Sequence, residues 1–398
     1  MTLRSPPTDA AVLPAFLRLC GGRAWKRRLE DVAYRARSGR LQGRAAQARH
    51  AIEIVLDRLA EPEALARASQ AERQIMVLAR DTVRLAATLP PARRTRLKDR
   101  IAACLSGEGT LVPLFHLLRT AARYRAQGFE VEFTGLLEDA AQDLRIRRAG
   151  AEAEVVCETV SAEEGRPVHR GDWYALVDRI NPDLQRWLAS HPGRYLLKMT
   201  LPEGLADGGD LHGRIMAMLQ EQSRQSSDEG AILKLDPLML AGAQAADSAV
   251  GLQAQLRAQF GPDAHLAMTG SQASGSVFVM AARAGRENGI AQAIVQRLAE
   301  SAGRLSGTRP GIVAAFIEDL ERAEWRALRD SFELEGAVRR FLTTPPARPV
   351  VAVSCSSRME LFGMAPPDAA ADGELRFRNP SHPEGRNAGL APGTISTS

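Results

Sequence analysis

The spacing of apolar residues changes once along this chain, near Gly107, and that change limits what it can fold into. Before it, apolar positions recur every three or four residues. Ile52, Val55, Leu56 and Leu59 fall at i, i+3, i+4 and i+7, and "AERQIMVLARDTVRLAATL" continues the pattern until Pro90-Pro91 interrupts it. "ARRTRLKDRIAACL" then resumes it. Such spacing buries one stripe of a helix, and nothing in 15–105 alternates as a strand would. After Gly107, "VPLFHLLRTAARYRAQGF" predicts a helix with Pro113 near its start and Gly128 at its end. From there "EVEF", the stretch 143–158, "RYLLKMTL", "AILKLDPL", "SGSVFVMAARA", "GIVAAFIEDL" and "RPVVAVSCSS" read as strands with helices between them. "DWYALVDRINPDLQRWLASHPG" predicts a helix in two pieces around Asn181-Pro182, and "EWRALRDSFELEGAVRRFL" predicts one helix. "TGSQASGSVF" at 269–278 reads as a loop before a strand. The alternation predicts an α/β or α+β chain. A helical domain covers 1–108, and a mixed-sheet domain with extra β-α units covers 109–358. A tail over 359–398, rich in Pro, Gly, Ala, Asp and Asn without periodicity, is expected to be disordered.

Charge is distributed unevenly. Residues 1–150 hold 27 Lys and Arg against 16 Asp and Glu, and the remainder holds 25 against 31. An arginine-rich half can be an electrostatic footprint for nucleic-acid phosphate, and it can equally be a set of solvated helix faces. If the arginines serve nucleic acid, Arg23, Arg27, Arg28, Arg35, Arg37 and Arg40 should cluster on one surface. The longest apolar runs, such as "VFVMAA", fall far short of the roughly 20 residues of a membrane helix. The first 20 residues lack the pattern of a secretion signal, so no membrane partner and a cytoplasmic location are expected. Cys20, Cys104, Cys157 and Cys355 are scattered with no CxxC pair, which argues against a zinc ribbon or a disulfide framework. P-loop, HExxH and GxSxG motifs are absent.

The stretch most suggestive of chemistry is "DLRIRRAGAEAEVVCETV", Asp143 to Val160. Every second residue forms a charged face (Asp143, Arg145, Arg147, then Glu152, Glu154, Glu158, with Val156 among them). Leu144, Ile146, Ala153, Val155 and Cys157 form an apolar face, and Ala149-Gly150 gives a place to turn. A tight turn sets Arg145 opposite Glu154, Arg147 opposite Glu152 and Asp143 opposite Val156. Cross-strand ion pairs of about 0.2–1 kcal/mol each would then explain the charges without any function.

The order of elements over about 114–200 resembles the PD-(D/E)XK, or restriction-endonuclease-like, nuclease superfamily. In that family a helix precedes a short strand, an aspartate opens the second strand, and [D/E]-x-K lies on the third. Here "QDLRIRR" stands at the aspartate and "AEVVCETVS" at the [D/E]-x-K. "VSAEEGRPVHR" and "RLSGTRPGIVAAFIEDL" also resemble bacterial proteins of unassigned function with this layout. The resemblance implies a mixed-sheet nuclease fold and Mg²⁺ held by carboxylates, which would polarise a scissile phosphate and activate water. The motif aspartate is Asp143, the motif acid falls on Val156 and the motif lysine on Glu158. A cation would therefore need the nonstandard set Asp143, Glu154 and Glu158. The two lost positions predict a nucleic-acid-binding protein whose metal-dependent cleavage is weak or lost, with Mg²⁺ needed only if it is active. His116, Arg119 and Arg123, at i, i+3 and i+7, are candidates to line a DNA or RNA phosphate path, as are Arg166, His169 and Arg170 after the hairpin. A solvated helix face and a solvated loop are the plain alternatives for these two groups. The rival reading is a non-catalytic scaffold that binds a protein partner through the helical half or the tail.

Overall fold

The computed structural model describes residues 9–205, 209–239, 249–261, 263–271, 275–358 and 374–397. It is a mixed α/β structure with two mixed sheets. Helices fill the N-terminal part: α1 (Asp9–Cys20), α2 (Gly22–Arg35), α3 (Arg40–Arg49), α4 (Ala51–Arg58), α5 (Pro62–Ala66), α6 (Gln70–Thr88), α7 (Pro91–Cys104) and α8 (Val112–Ala126). The start of α6 shows how the sequence sets a helix end. Ser69 Oγ accepts from the Glu72 backbone N–H at 3.4 Å, and the Glu72 carboxylate accepts from the Ser69 N–H at 2.7 Å. Two otherwise orphaned donors are thereby satisfied.

The first sheet comprises β1 (Glu130–Glu132), β2 (Leu144–Arg148), β3 (Ala151–Ser161), β9 (Gly311–Glu318), β10 (Val350–Ser357) and β11 (Leu375–Arg378), in the order β1-β2-β3-β9-β10-β11. The β1, β2 and β3 strands form an antiparallel meander, β3, β9 and β10 run parallel, and β11 returns antiparallel. The β2–β3 hairpin turns on Ala149 (φ 49°) and Gly150 (φ 78°), the two positive values that a tight primed turn requires. Leu144, Ile146, Val155, Ile312 and Phe316 share one buried cluster with Phe16, Leu56, Ile101, Phe115 and Leu118 from the helices. The expected separate helical domain over 1–108 is therefore corrected. The helices pack their apolar faces against one face of the sheet in a single shared core, so they do not form a domain separate from it.

The chain divides into two compact units. One comprises 1–34, 47–164 and 291–398, and the other 35–46 and 165–290. The second unit holds the extra β-α units, which form a sheet of their own rather than extending the first. It contains α10 (Arg170–Ser190), β4 (Arg194–Leu201), α11 (Gly209–Gln220), β5 (Gln225–Ser227), β6 (Ile232–Pro237), α12 (Ala249–Phe260), β7 (His265–Ser271) and β8 (Ser276–Ala284). Its strand order is β5-β6-β4-β8-β7. The α10 helix runs unbroken through Pro182, since Trp173, Leu176, Ile180, Leu184 and Leu188 continue one buried stripe on both sides. Residues 269–271 and 276–278 of the expected loop belong to β7 and β8, and 272–274 lie outside the described residues. The segment 35–46 is tied to this unit by Asp178, whose carboxylate accepts from the backbone N–H of Leu41 at 2.9 Å and of Gln42 at 2.9 Å. Gly39 leaves room for this contact, as a Cβ there would lie 2.2 Å from Asp178 Oδ2.

Two further expectations are corrected in the first unit. Helices α14 (Arg322–Asp330) and α15 (Glu333–Phe341) replace one continuous helix, separated where Phe332 adopts φ 58°. The expected disordered tail is structured over 374–397. There β11 pairs with β10, Asn379 Nδ2 donates to the Val350 carbonyl at 2.9 Å, and Leu390 is buried. Residues 359–373 and 398 lie outside the described residues.

Candidate functional site on the hairpin face

The hairpin register is Leu144↔Val155, Arg145↔Glu154 and Arg147↔Glu152. Asp143 continues it, donating its N–H to the Val155 carbonyl at 3.0 Å, and so stands across from Val156. Leu144 and Val155 are fully buried on the face that meets the helices, and Cys157 is nearly so. The opposite face, with Glu154, Val156 and Glu158, meets α13 (Ile290–Ala302) and the segment 304–309 that follows it.

The three candidate metal ligands are each engaged by other groups. Asp143 is buried between two guanidinium groups, Arg100 Nη1 at 2.9 Å from Oδ1 and Arg304 Nη2 at 2.9 Å from Oδ2. The backbone N–H of Cys157 also donates to Oδ2, at 2.9 Å. Glu158 accepts from Ser301 Oγ at 2.9 Å and meets Arg304 Nη1 at 3.4 Å. Glu154 is 1% exposed and accepts from Ser306 twice, from the backbone N–H at 2.8 Å and from Oγ at 2.7 Å. Arg304 thus spans Asp143 and Glu158, and a guanidinium holds the carboxylates that a cation would need. Val156, fully buried, offers no ligand between them. Among the described residues no group of three His, Cys, Asp or Glu gathers to hold a metal, so the set Asp143, Glu154 and Glu158 does not fit Mg²⁺ as it is arranged.

The cross-strand pairing expected from the sequence is half realised. Arg147 meets Glu152 at 2.6 Å. Arg145 faces Glu154 in register, but its guanidinium turns to Glu132 at 3.1 Å and Glu138 at 2.8 Å. Glu152 is also bound by Arg309 at 2.9 Å, and these two arginines hold its carboxyl below the usual range.

The proposed helix stripe is corrected at His116. It lies in the core, 2% exposed, with Nε2–H donating to the Ala314 carbonyl at 2.9 Å. Burial lowers its pKa to about 4, so it is neutral where nucleic acid would be bound. Arg123 on the same helix pairs with the buried Glu374, and Arg119 is half-buried. The other three candidates belong to the second unit. Arg166 is buried there, His169 is exposed at the start of α10, and Arg170 is half-buried. The six N-terminal arginines do not form one group within a unit. Arg23, Arg27 and Arg28 belong to the first, and Arg35, Arg37 and Arg40 to the second. Arg28 is buried and donates to the carbonyls of Gly107 at 3.0 Å and Gly109 at 3.2 Å, so it fastens α2 to the loop that follows α7.

A second concentration of titratable groups escaped sequence reasoning. The parallel strands β3, β9 and β10 end at Ser161, Glu318 and Ser357, followed by Asp319 and Arg358. Asp319 accepts from Ser161 Oγ at 2.6 Å and pairs with Arg49 at 3.5 Å. Glu318 accepts from Thr110 Oγ1 at 3.4 Å, a weak contact. Burial and the neighbouring Asp319 push its pKa up to about 7. Nearby on α4, Glu53 and the preceding His50 are fully buried, with His50 Nδ1 3.6 Å from Glu53 Oε1. Among the described residues, neither ring nitrogen of His50 and neither oxygen of Glu53 has a hydrogen-bond partner. The one sequence signal was "IEDL", an acidic pair closing an apolar strand. The other members are dispersed between residues 49 and 358.

Comparison with protein-family models, with curated proteins and with solved structures finds no match to this chain. No helix among the described residues is long and apolar enough to cross a membrane.

Proposed function

We propose that this chain is a nuclease-like protein that binds nucleic acid and has lost metal-dependent cleavage. The observation that carries this reading is the position of Arg304. It bridges Asp143, which opens β2, to Glu158 on β3, the two positions where the nuclease motif places its metal-binding acid and its lysine. Support for the descent comes from the order of elements, α8 then the β1-β2-β3 meander then parallel strands, which resembles the PD-(D/E)XK layout. The basic excess of residues 1–150 supports the phosphate contact. The scaffold reading has its own supporting observation, that Arg28, Arg100, Arg145, Arg147 and Arg304 are engaged by acids or carbonyls of the chain itself.

The test is cleavage and binding of DNA and RNA by the full chain with Mg²⁺ and Mn²⁺. We expect no cleavage, and an affinity that falls steeply as salt is raised. Metal-dependent cutting that Asp143→Ala abolishes would overturn the loss of activity. Absent or salt-insensitive binding would favour the scaffold. The double change Val156→Glu with Glu158→Lys restores the motif residues, and metal binding by calorimetry should improve before any cutting appears.

A further inference from the structure

We propose that the free edge of β1 takes an added strand from another protein, an extended segment in which basic residues alternate with apolar ones. The inference does not rest on the nucleic-acid reading. The six-stranded sheet has two edges, and the chain treats them differently. Beyond β11 its own last residues seal the edge. Thr397 Oγ1 accepts from the Arg376 N–H at 2.9 Å, the Thr397 N–H donates to the Arg376 carbonyl at 3.1 Å, and Ser396 Oγ accepts from the Arg378 N–H at 3.0 Å. At the other edge β1 pairs with β2 alone. Among the described residues, no backbone group of Glu130, Val131 or Glu132 bonds anything outside that pair. An antiparallel strand turns the N–H and C=O of alternate residues away from its partner, so β1 keeps backbone groups pointing outward.

A groove of about 410 Å³ lies along this edge, between β1, the end of α6 and Arg125 on α8. The pleat of β1 gives it two unlike sides. On the core side, Leu85, Leu89, Phe133 and Leu137 surround Val131. Arg125 lies 5.4 Å over the Phe133 ring, so this side repels a basic side chain and suits an apolar one. On the opposite face stand Glu130 and Glu132. Glu132 meets Arg145 at 3.1 Å and Arg147 at 3.7 Å, and those arginines are further held by Glu138 and Glu152. Glu130 is exposed, and among the described residues no cation pairs with it. It is the uncompensated charge nearest the open edge.

These two sides define the occupant. A strand laid along β1 sets alternate side chains beside Val131 and the others beside Glu130 and Glu132. The first set must be apolar and the second basic, since opposite charges on neighbouring strands attract and like charges repel. The inner partner already shows this pattern, because β2 presents Arg145, Ile146 and Arg147 to Glu132, Val131 and Glu130. The same rule disfavours a second copy joined through its own β1, which would set glutamate against glutamate. Nucleic-acid phosphate would meet the same two carboxylates. With three residues in β1 the added strand is short, so its binding is weak and reversible.

The experiment is fluorescence polarisation of the full-length protein with three short labelled peptides. One alternates arginine and valine, one groups the same arginines at one end, and one alternates glutamate and valine. We expect the first to bind in the micromolar range, the second about tenfold more weakly, and the third not at all at about 1 mM. Glu130→Lys should weaken the first roughly three- to tenfold and strengthen the third. Thr88→Trp, on the exposed rim of the groove, should block the first and leave thermal stability unchanged. Bound peptide should slow hydrogen exchange of the amides of 130–132. No binding of the first peptide at about 1 mM, equal binding of the grouped one, or an unchanged affinity in Glu130→Lys would each overturn the proposal. Unchanged exchange at 130–132 would overturn the added strand. Self-association in ultracentrifugation that Thr88→Trp abolishes would give the edge to a second copy and overturn the proposed occupant.

Discussion

The hairpin face and the carboxyl edge of the same sheet both gather acids, yet they satisfy them differently. On the hairpin face Asp143, Glu152, Glu154 and Glu158 each have a guanidinium or a serine within hydrogen-bonding distance. At the carboxyl edge Glu318 has one long contact, and Glu53 has none among the described residues. The difference teaches where to look for chemistry. Charges that the chain itself neutralises stiffen a structure, whereas buried charges left without donors must change their protonation or their surroundings.

The largest expected effect comes from breaking the hairpin side. Asp143→Ala strands two arginines and the Cys157 N–H, and should lower unfolding free energy by about 3 kcal/mol in denaturant titration. That is the low end for a buried charge, because Arg304 is 36% exposed. A loss under about 1 kcal/mol would mean that the face does not depend on its pairing. Nearly as large is the effect of His116, a buried group with one partner that sits between the two cases. Its folded pKa of about 4 lies below the ordinary 6.5. Its contribution is therefore intact above the higher value and is lost as pH falls towards the lower, by about 3 kcal/mol at the lower. Replacing it with leucine should flatten the acid limb of a stability–pH curve, and an unchanged limb would assign that limb elsewhere. Glu318 acts in the opposite direction, so the two together predict greatest stability on the mildly acidic side of neutral.

A smaller change tests the tidiness of the hairpin face. Ser306→Ala removes a hydroxyl from the buried Glu154 and leaves the backbone donor in place, so about 1–2 kcal/mol should be lost in thermal or chemical unfolding. No loss would show that the backbone donor alone suffices. Least is expected from Arg147→Ala. Its guanidinium is 45% exposed, so solvent screens the pair with Glu152 and the change should stay below about 1 kcal/mol. A larger loss would show that the face is cooperative rather than a sum of pairs.

What the sequence made visible follows the range of the interactions involved. The hairpin and its register were readable, because alternation and a turn at Ala149-Gly150 are local and a one-residue slip would expose Leu144 and Val155. The partner of Arg145 was not readable, because Glu132 and Glu138 reach it from β1 and from the turn beyond, not from the facing strand. Mixed helix and strand was readable from periodicity, but not the division of strands into two sheets. The pairing of β3 with β9 joins residues more than 150 positions apart. The burial of His116 was missed because its i, i+3, i+7 stripe with two arginines looks the same whether the first member faces solvent or a sheet. The carboxyl-edge cluster was missed for the reason that made the hairpin visible, since none of its contacts between segments is local.

The tie between Asp178 and Leu41 has a consequence for the order of events during synthesis. The two residues are 137 positions apart, and residue 41 leaves the ribosome first. At about 5–20 residues per second, the segment 35–46 waits on the order of ten seconds before its anchor exists. During that interval it is an apolar-and-basic stretch without its capping carboxylate, while the helices on either side can already begin to associate. Nascent-chain stalling at successive lengths should therefore show this short segment remaining sensitive to protease until the Asp178 codon has been passed and α10 has emerged.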